Sequence, residues 1–172
     1  SEFHNVINIT NNSTLISVTE LNVWNQLKIY CTAFQNLPNE IIKWLNKEKF
    51  NFKDIGPKSY KANDDYPIWA KRLSKLVQKS NDHKGILLCR SGVGMVVVAN
   101  KFSGIRAAQA HNPKMAARSK QDENTNVLSL AADYYSTTEL INIMDRWLKT
   151  KYTITKRFQR RLKEITKIEH GH

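Results

Sequence analysis

At 172 residues the chain is long enough for one domain with a substantial core, and it holds no apolar run of the roughly 18 residues that a membrane span needs. Two cysteines are too few for a disulfide framework, which excludes a stapled secreted scaffold; an intracellular setting is expected, mitochondrial or otherwise organellar, or else cytoplasmic. The 27 Lys and Arg against 15 Asp and Glu leave a formal net charge of +12, more than a small-molecule site requires, so RNA or a ribonucleoprotein is an expected contact alongside the plainer reading of a lysine-rich surface.

Residues 1–26 carry Asn and Thr clusters with no periodicity and no basic-then-apolar leader pattern. They read as an N-terminal extension, disordered or ordered only against a partner, ahead of a domain over 27–172. Residues 27–32 (LKIYCT) alternate as a first strand. Pro38 suits a first helical turn, and Ile41, Ile42, Trp44 and Leu45 give an apolar face to a helix running to about residue 49. Residues 50–55 form a second strand stopped by Gly56-Pro57, and 66–78 a helix with Ile68, Trp69, Leu73, Leu76 and Val77 inward. The apolar run 86–88 is a short buried strand ended by Cys89, followed by the turn Arg90-Ser91-Gly92-Val93-Gly94 and a helix over 95–101. Residues 105–110 and 127–130 are further buried strands flanking a helix over 113–121, and 137–148 is amphipathic through Leu140, Ile143, Met144 and Trp147. A very basic helix over 154–168 closes the chain. Strands alternating with helices predict an α/β, Rossmann-like three-layer sandwich: a parallel sheet of about five strands with helices on both faces.

The turn after 86–88 is physically an anion site. Free backbone N–H groups and a helix start face whatever sits there, and Gly92 and Gly94 let a phosphate or sugar oxygen approach the backbone. Cys89 stands beside it as a candidate base or nucleophile. A lone cysteine at a strand end is ordinarily a small apolar residue, but its place next to Ser91, Gly92 and Gly94 favours a site position.

The strings C-x-S-G-V-G-M over 89–95, A-N-K-F-x-G-I-R-A-A over 99–108 and N-V-L over 126–128 resemble the ribose-5-phosphate isomerase B and galactose-6-phosphate isomerase family, from about residue 28 to the C-terminus. The resemblance implies a phosphosugar substrate, no cofactor and no metal, and a homodimer or hetero-oligomer whose site combines groups from two subunits. It implies that Cys89 is the catalytic base and that Ser91 stabilises the developing oxyanion. Asp65-Tyr66-Pro67 matches the family's D-Y-P, with Tyr66 lining the sugar pocket; Asp65 is equally an N-cap candidate. Arg157 and Arg161 match the arginines of R-H-x-x-R that grip phosphate, and four residues apart they share a helix face, although a solvated pair is the competing reading. Asn100 and Arg106 match positions read as structural.

Four positions depart from the family pattern. Where the family has S-D-H-A-G after its first strand, residues 31–38 read CTAFQNLP, without the Asp–His pair. Where R-x-H-N-D supplies the ring-opening imidazole, residues 119–124 read SKQDEN and put Asp122 at the His position. The first glycine of C-G-[ST]-G is Arg90, whose side chain is expected to point into or across the anion turn, and the His of R-H-x-x-R is Phe158. None of the five histidines restores the missing group by position: His111 ends the fourth strand, His83 is expected in a surface turn, and His170 and His172 lie on the tail.

Each general acid–base group contributes about 10²–10⁴-fold, so these losses together should cost several orders of magnitude in rate. The leading expectation is therefore a catalytically degenerate family member, a pseudoenzyme kept as a structural or binding subunit of a larger, organellar, RNA-containing assembly. The alternative is an active aldose–ketose isomerase of the ribose 5-phosphate/ribulose 5-phosphate type using Cys89 as base, with Asp122 as substitute acid or base if burial raises its pKa. A hetero-oligomer whose partner supplies the imidazole is a third form of the same site.

Overall fold

The computed structural model describes residues 27–33, 37–58 and 65–171; the extension over 1–26 lies outside the described residues. Within them run β1 (Lys28–Ala33), α1 (Asn39–Lys47), β2 (Asn51–Asp54), α2 (Tyr66–Val77), β3 (His83–Cys89), α3 (Val93–Ala99), β4 (Ala107–Gln109), α4 (Pro113–Glu123), β5 (Val127–Ala131), α5 (Thr137–Lys149) and α6 (Lys156–Glu169). The strands form one sheet in the order β2-β1-β3-β5-β4, every pairing parallel. This is the Rossmann-like α/β architecture expected from the sequence. No described helix is long and apolar enough to cross a membrane.

Alternation along the strands builds two cores from one sheet. Ile29, Cys31, Ile86, Leu88, Leu128 and Leu130 belong to one cluster, with Ile41 and Leu45 of α1, Ala116 of α4, and Ile143 and Trp147 of α5. Tyr30, Leu87 and Val127 belong to the other, with Ala70, Leu73 and Val77 of α2 and Met95 and Ala99 of α3. With both faces covered, β3 and β5 read as continuous apolar runs.

The strand limits differ from the sequence reading where pairing decides them. β4 is three residues, not six, because it sits at the sheet edge with only β5 to pair with and its side chains are half-buried. β3 begins at His83, which pairs with Lys28 across the ladder. His83 is therefore not in a surface turn: its Nδ1 lies 2.7 Å from the Leu76 carbonyl oxygen and its ring meets Tyr30 edge-on.

Topology selects the edge at which a ligand binds. From β1 the chain moves outward to β2 on one side, and from β3 to β4 and β5 on the other. The connections diverge above the carboxyl ends of β1 and β3, and such a switch point opens a crevice. Cys89 ends β3 there. The last helix lies elsewhere. Ahead of α6, Thr153 N–H donates to the Gln121 carbonyl late in α4, and at its far end the Glu169 carboxylate accepts from Gly104 N–H at 3.0 Å, beyond the end of α3. Helices α3 and α4 run back toward the edge where the strands begin, so α6 is strapped across that opposite edge. None of its residues is buried.

Candidate active site

Cys89 is half-buried and packs against the α2–α3 core. The turn that follows is pinned through four consecutive carbonyls. Those of Cys89 and Arg90 accept from the N–H groups of Ala132 and Asp133 at 2.8 and 3.1 Å, which ties the turn to the end of β5. Gln109 Nε2 donates to the Ser91 carbonyl at 2.6 Å, and Ser129 Oγ donates to the Gly92 carbonyl at 2.7 Å.

The two glycines are required for different reasons. Gly92 has φ +76°, in the left-handed region, and a Cβ there would lie 3.2 Å from the Leu130 carbonyl oxygen. At Gly94 a Cβ would lie 2.7 Å from the Tyr66 ring, so the missing side chain lets Tyr66 rest on the turn. Asp65 occupies the N-cap position of α2, but its side chain makes no capping hydrogen bond. Pro67, which has no N–H to satisfy, stands in the first turn. The result is an open cleft of about 440 Å³ lined by Tyr66, Cys89, Arg90, Ser91, Val93 and Gly94.

Within one chain the predicted site residues fall into two groups. Tyr66, Cys89, Ser91 and Gly94 line the cleft, Gly92 is buried in its turn, and Asp65 immediately precedes Tyr66. Arg157 and Arg161 are exposed on α6, at the opposite edge, where a separate hollow of about 740 Å³ is lined by Phe102, Ile105, Ile165 and Glu169 among others. Asp122 lies late in α4, paired with Arg118 at 3.0 Å, and does not line the cleft. The segment that departs from the family's Asp–His pair includes residues 34–36, which lie outside the described residues. His111 follows β4, two strands from β3, with its Nδ1 3.0 Å from the Tyr135 hydroxyl. Among the described residues no imidazole lines the cleft.

Asn100 and Arg106 hold structure, as their positions suggested. Asn100 brackets Ala107, donating to its carbonyl at 2.9 Å and accepting from its N–H at 2.8 Å. Arg106 Nε donates to the carbonyls of Glu123 and Asn124. Cys31 is fully buried, and burial together with the Asp54 carboxylate pushes its thiol pKa up. Three site residues escaped the sequence reading: Gln109, Ser129 and Asp133. Only Ser129 left a signal, as a lone hydroxyl within the apolar run VLSLA. Asp133 accepts from Arg90 Nε at 2.8 Å, so Arg90 turns toward the end of β5 at the rim of the cleft.

A parallel α/β sheet with a thiol, a hydroxyl and a glycine turn at its switch point defines a Rossmann-like protein with an open cleft at the carboxyl ends of its strands. The chain belongs to the Ribose/Galactose Isomerase family, whose model matches residues 32–165. It is similar to a probable ribose-5-phosphate isomerase B of Mycoplasma genitalium, 39% identical over 130 residues, or 75% of this chain and 85% of that protein. The ribose-5-phosphate isomerase B of Escherichia coli is 35% identical over 133 residues, 77% of this chain and 88% of that protein. The crystal structure of the Mycoplasma genitalium ribose-5-phosphate isomerase B with bound ribulose-5-phosphate superposes with a TM-score of 0.80 at 34% identity, covering 86% of this chain and 99% of that one.

Proposed function

We propose that the chain is an active aldose–ketose isomerase of sugar phosphates, of the ribose 5-phosphate/ribulose 5-phosphate type. The observation that carries this reading is Cys89 beside Ser91 in a turn pinned at four carbonyls, under Tyr66, at the switch point of the sheet. The names of the relatives support it over the degenerate reading, because none of them points to a scaffold.

As the thiolate, Cys89 removes the proton on C2 of the open-chain aldose phosphate. The electron pair moves through C1 onto the carbonyl oxygen to give a cis-enediolate, whose charge Ser91 and the turn stabilise. The O2 proton passes to O1, the proton held by Cys89 returns to C1, and C2 becomes the ketone. Tyr66 walls the cleft. Arg157 and Arg161 reach such a cleft only from a second copy of the chain, and exposed Ile68, Val93 and Val97 on α2 and α3 offer that copy an apolar seat. Turnover of ribose 5-phosphate by the wild type, falling about 10²–10⁴-fold in Cys89→Ala, is the expected result. A wild-type chain without turnover overturns the reading.

One observation favours a second reading, a degenerate subunit that contacts a polyanion: α6 exposes Lys156, Arg157, Arg160, Arg161 and Lys163 while no described imidazole lines the cleft. RNA affinity that does not weaken with rising salt would remove it.

A further inference from the structure

We propose that Arg90 is a specificity-determining residue that holds the anionic end of the substrate, a phosphate monoester, in the cleft of the same chain that carries Cys89. The inference rests on the isomerase reading and deepens it.

Arg90 is the one cation among the described residues that line the cleft. Its direction is fixed twice by one neighbour: Asp133 N–H donates to the Arg90 carbonyl at 3.1 Å, and Arg90 Nε donates to Asp133 Oδ2 at 2.8 Å. That ion pair occupies Nε. Among the described residues no acceptor engages Nη1 or Nη2, and the side chain is 77% exposed. A guanidinium has five N–H donors in a rigid fork, so holding it by Nε at the rim of the cleft leaves the remaining four for a ligand. Two phosphate oxygens match that fork bidentately.

Within the chain that carries Cys89, Arg90 is the described side chain placed to share this task with the arginines a second copy would bring. The helix after the turn is seven residues long, about two turns, so its end adds little to the field of one full charge. Arg157 and Arg161 lie at the opposite edge of their own chain. Asp133 aims the fork but also places a negative charge beside the bound phosphate, so it is a positioning residue that limits affinity. Replacing it by Asn keeps an oxygen acceptor for Nε and removes the repulsion.

The test compares the full chain with R90Q, R90K and D133N, reading KM and kcat for ribose 5-phosphate and calorimetric affinity for inorganic phosphate. R90Q should raise KM about 10- to 100-fold, the larger part of the effect falling on KM rather than kcat, and weaken phosphate to a similar extent. R90K, with the charge but not the fork, should recover only part of that loss, and D133N should bind phosphate about 2- to 5-fold more tightly. If the wild type turns over and R90Q leaves KM and phosphate affinity unchanged, the Arg90 assignment fails and the isomerase reading stands. If no phosphosugar is turned over, the isomerase reading fails, and the phosphate titration alone decides Arg90: equal affinity in wild type and R90Q overturns the assignment, and loss in R90Q sustains it.

Discussion

Cys31 and Cys89 stand on adjacent parallel strands of one sheet, Cys31 in register with Ile86 and Cys89 past the end of the β1–β3 ladder. Cys31 is wholly enclosed on the α1–α5 face, where burial and the Asp54 carboxylate disfavour its thiolate. Cys89 is half-buried, belongs to the other face, and opens into the cleft. Residue type is common to both; depth, side of the sheet and the turn that follows differ. Cys89 opens to the cleft because its strand has run past the neighbours that would bury it.

The widest separation expected between the two is in labelling by a small thiol reagent. Cys89 should react in the native protein, whereas Cys31 should wait for unfolding and be protected on the order of 10⁴-fold, as a native stability of several kcal/mol implies. Comparable native rates would collapse the distinction. Next comes turnover: against the 10²–10⁴-fold loss in Cys89→Ala, Cys31→Ala should change kcat/KM less than about threefold and cost only stability, measured as a urea midpoint.

The turn beyond Cys89 offers a smaller and sharper comparison. Gly92 and Gly104 have nearly the same φ, +76° and +75°, but a Cβ at Gly92 would meet Leu130 and Gln109, whereas among the described residues nothing lies within 4 Å at Gly104. Gly92→Ala should destabilise by about 2–3 kcal/mol and Gly104→Ala by about 1 kcal/mol, the difference in urea-unfolding free energy isolating the contact from the backbone strain.

Burial tunes an amine by the same logic. Lys120 is 8% exposed, donates to the Thr125 carbonyl at 2.7 Å and lies 5.1 Å from the centroid of the Trp147 ring. Burial, with Lys84 and Arg106 nearby, pushes its pKa down to about 7 from an ordinary 10.5. Between those two values the unfolded lysine binds more protons than the folded one, so its contribution makes stability rise with pH across that window and leaves it flat below. Lys120→Met should flatten the slope by up to about 1.4 kcal/mol per pH unit, read from urea midpoints at pH 6 to 9. An unchanged slope would show that burial does not act on Lys120 as it does on Cys31.

What could be read beforehand tracks how local its cause is. The runs at β3 and β5 were legible because two-sided burial writes itself into consecutive apolar residues. The glycine turn was legible because glycines at 92 and 94 have a local steric reason. Arg90 could be identified as a departure, but its direction depends on Asp133, 43 positions away. The pairing of Arg157 with Arg161 on one helix face was likewise correct locally. Where that face lies is decided by Glu169 reaching Gly104, 65 positions back, and no periodicity encodes that contact. Asp65 takes the expected N-cap position, but its side chain makes no capping hydrogen bond.

The division of the sheet into two cores has a consequence for how the chain assembles. The cluster that encloses Ile29, Ile41 and Leu45 is completed by Leu128, Leu130 and Trp147, which lie about a hundred residues further along. β1, α1 and β2 therefore cannot form an early subdomain: whatever they gather on their own leaves their apolar face open until α5 exists. Contacts of such sequence separation place folding late and make it one cooperative event, with the first half of the chain dependent on its end.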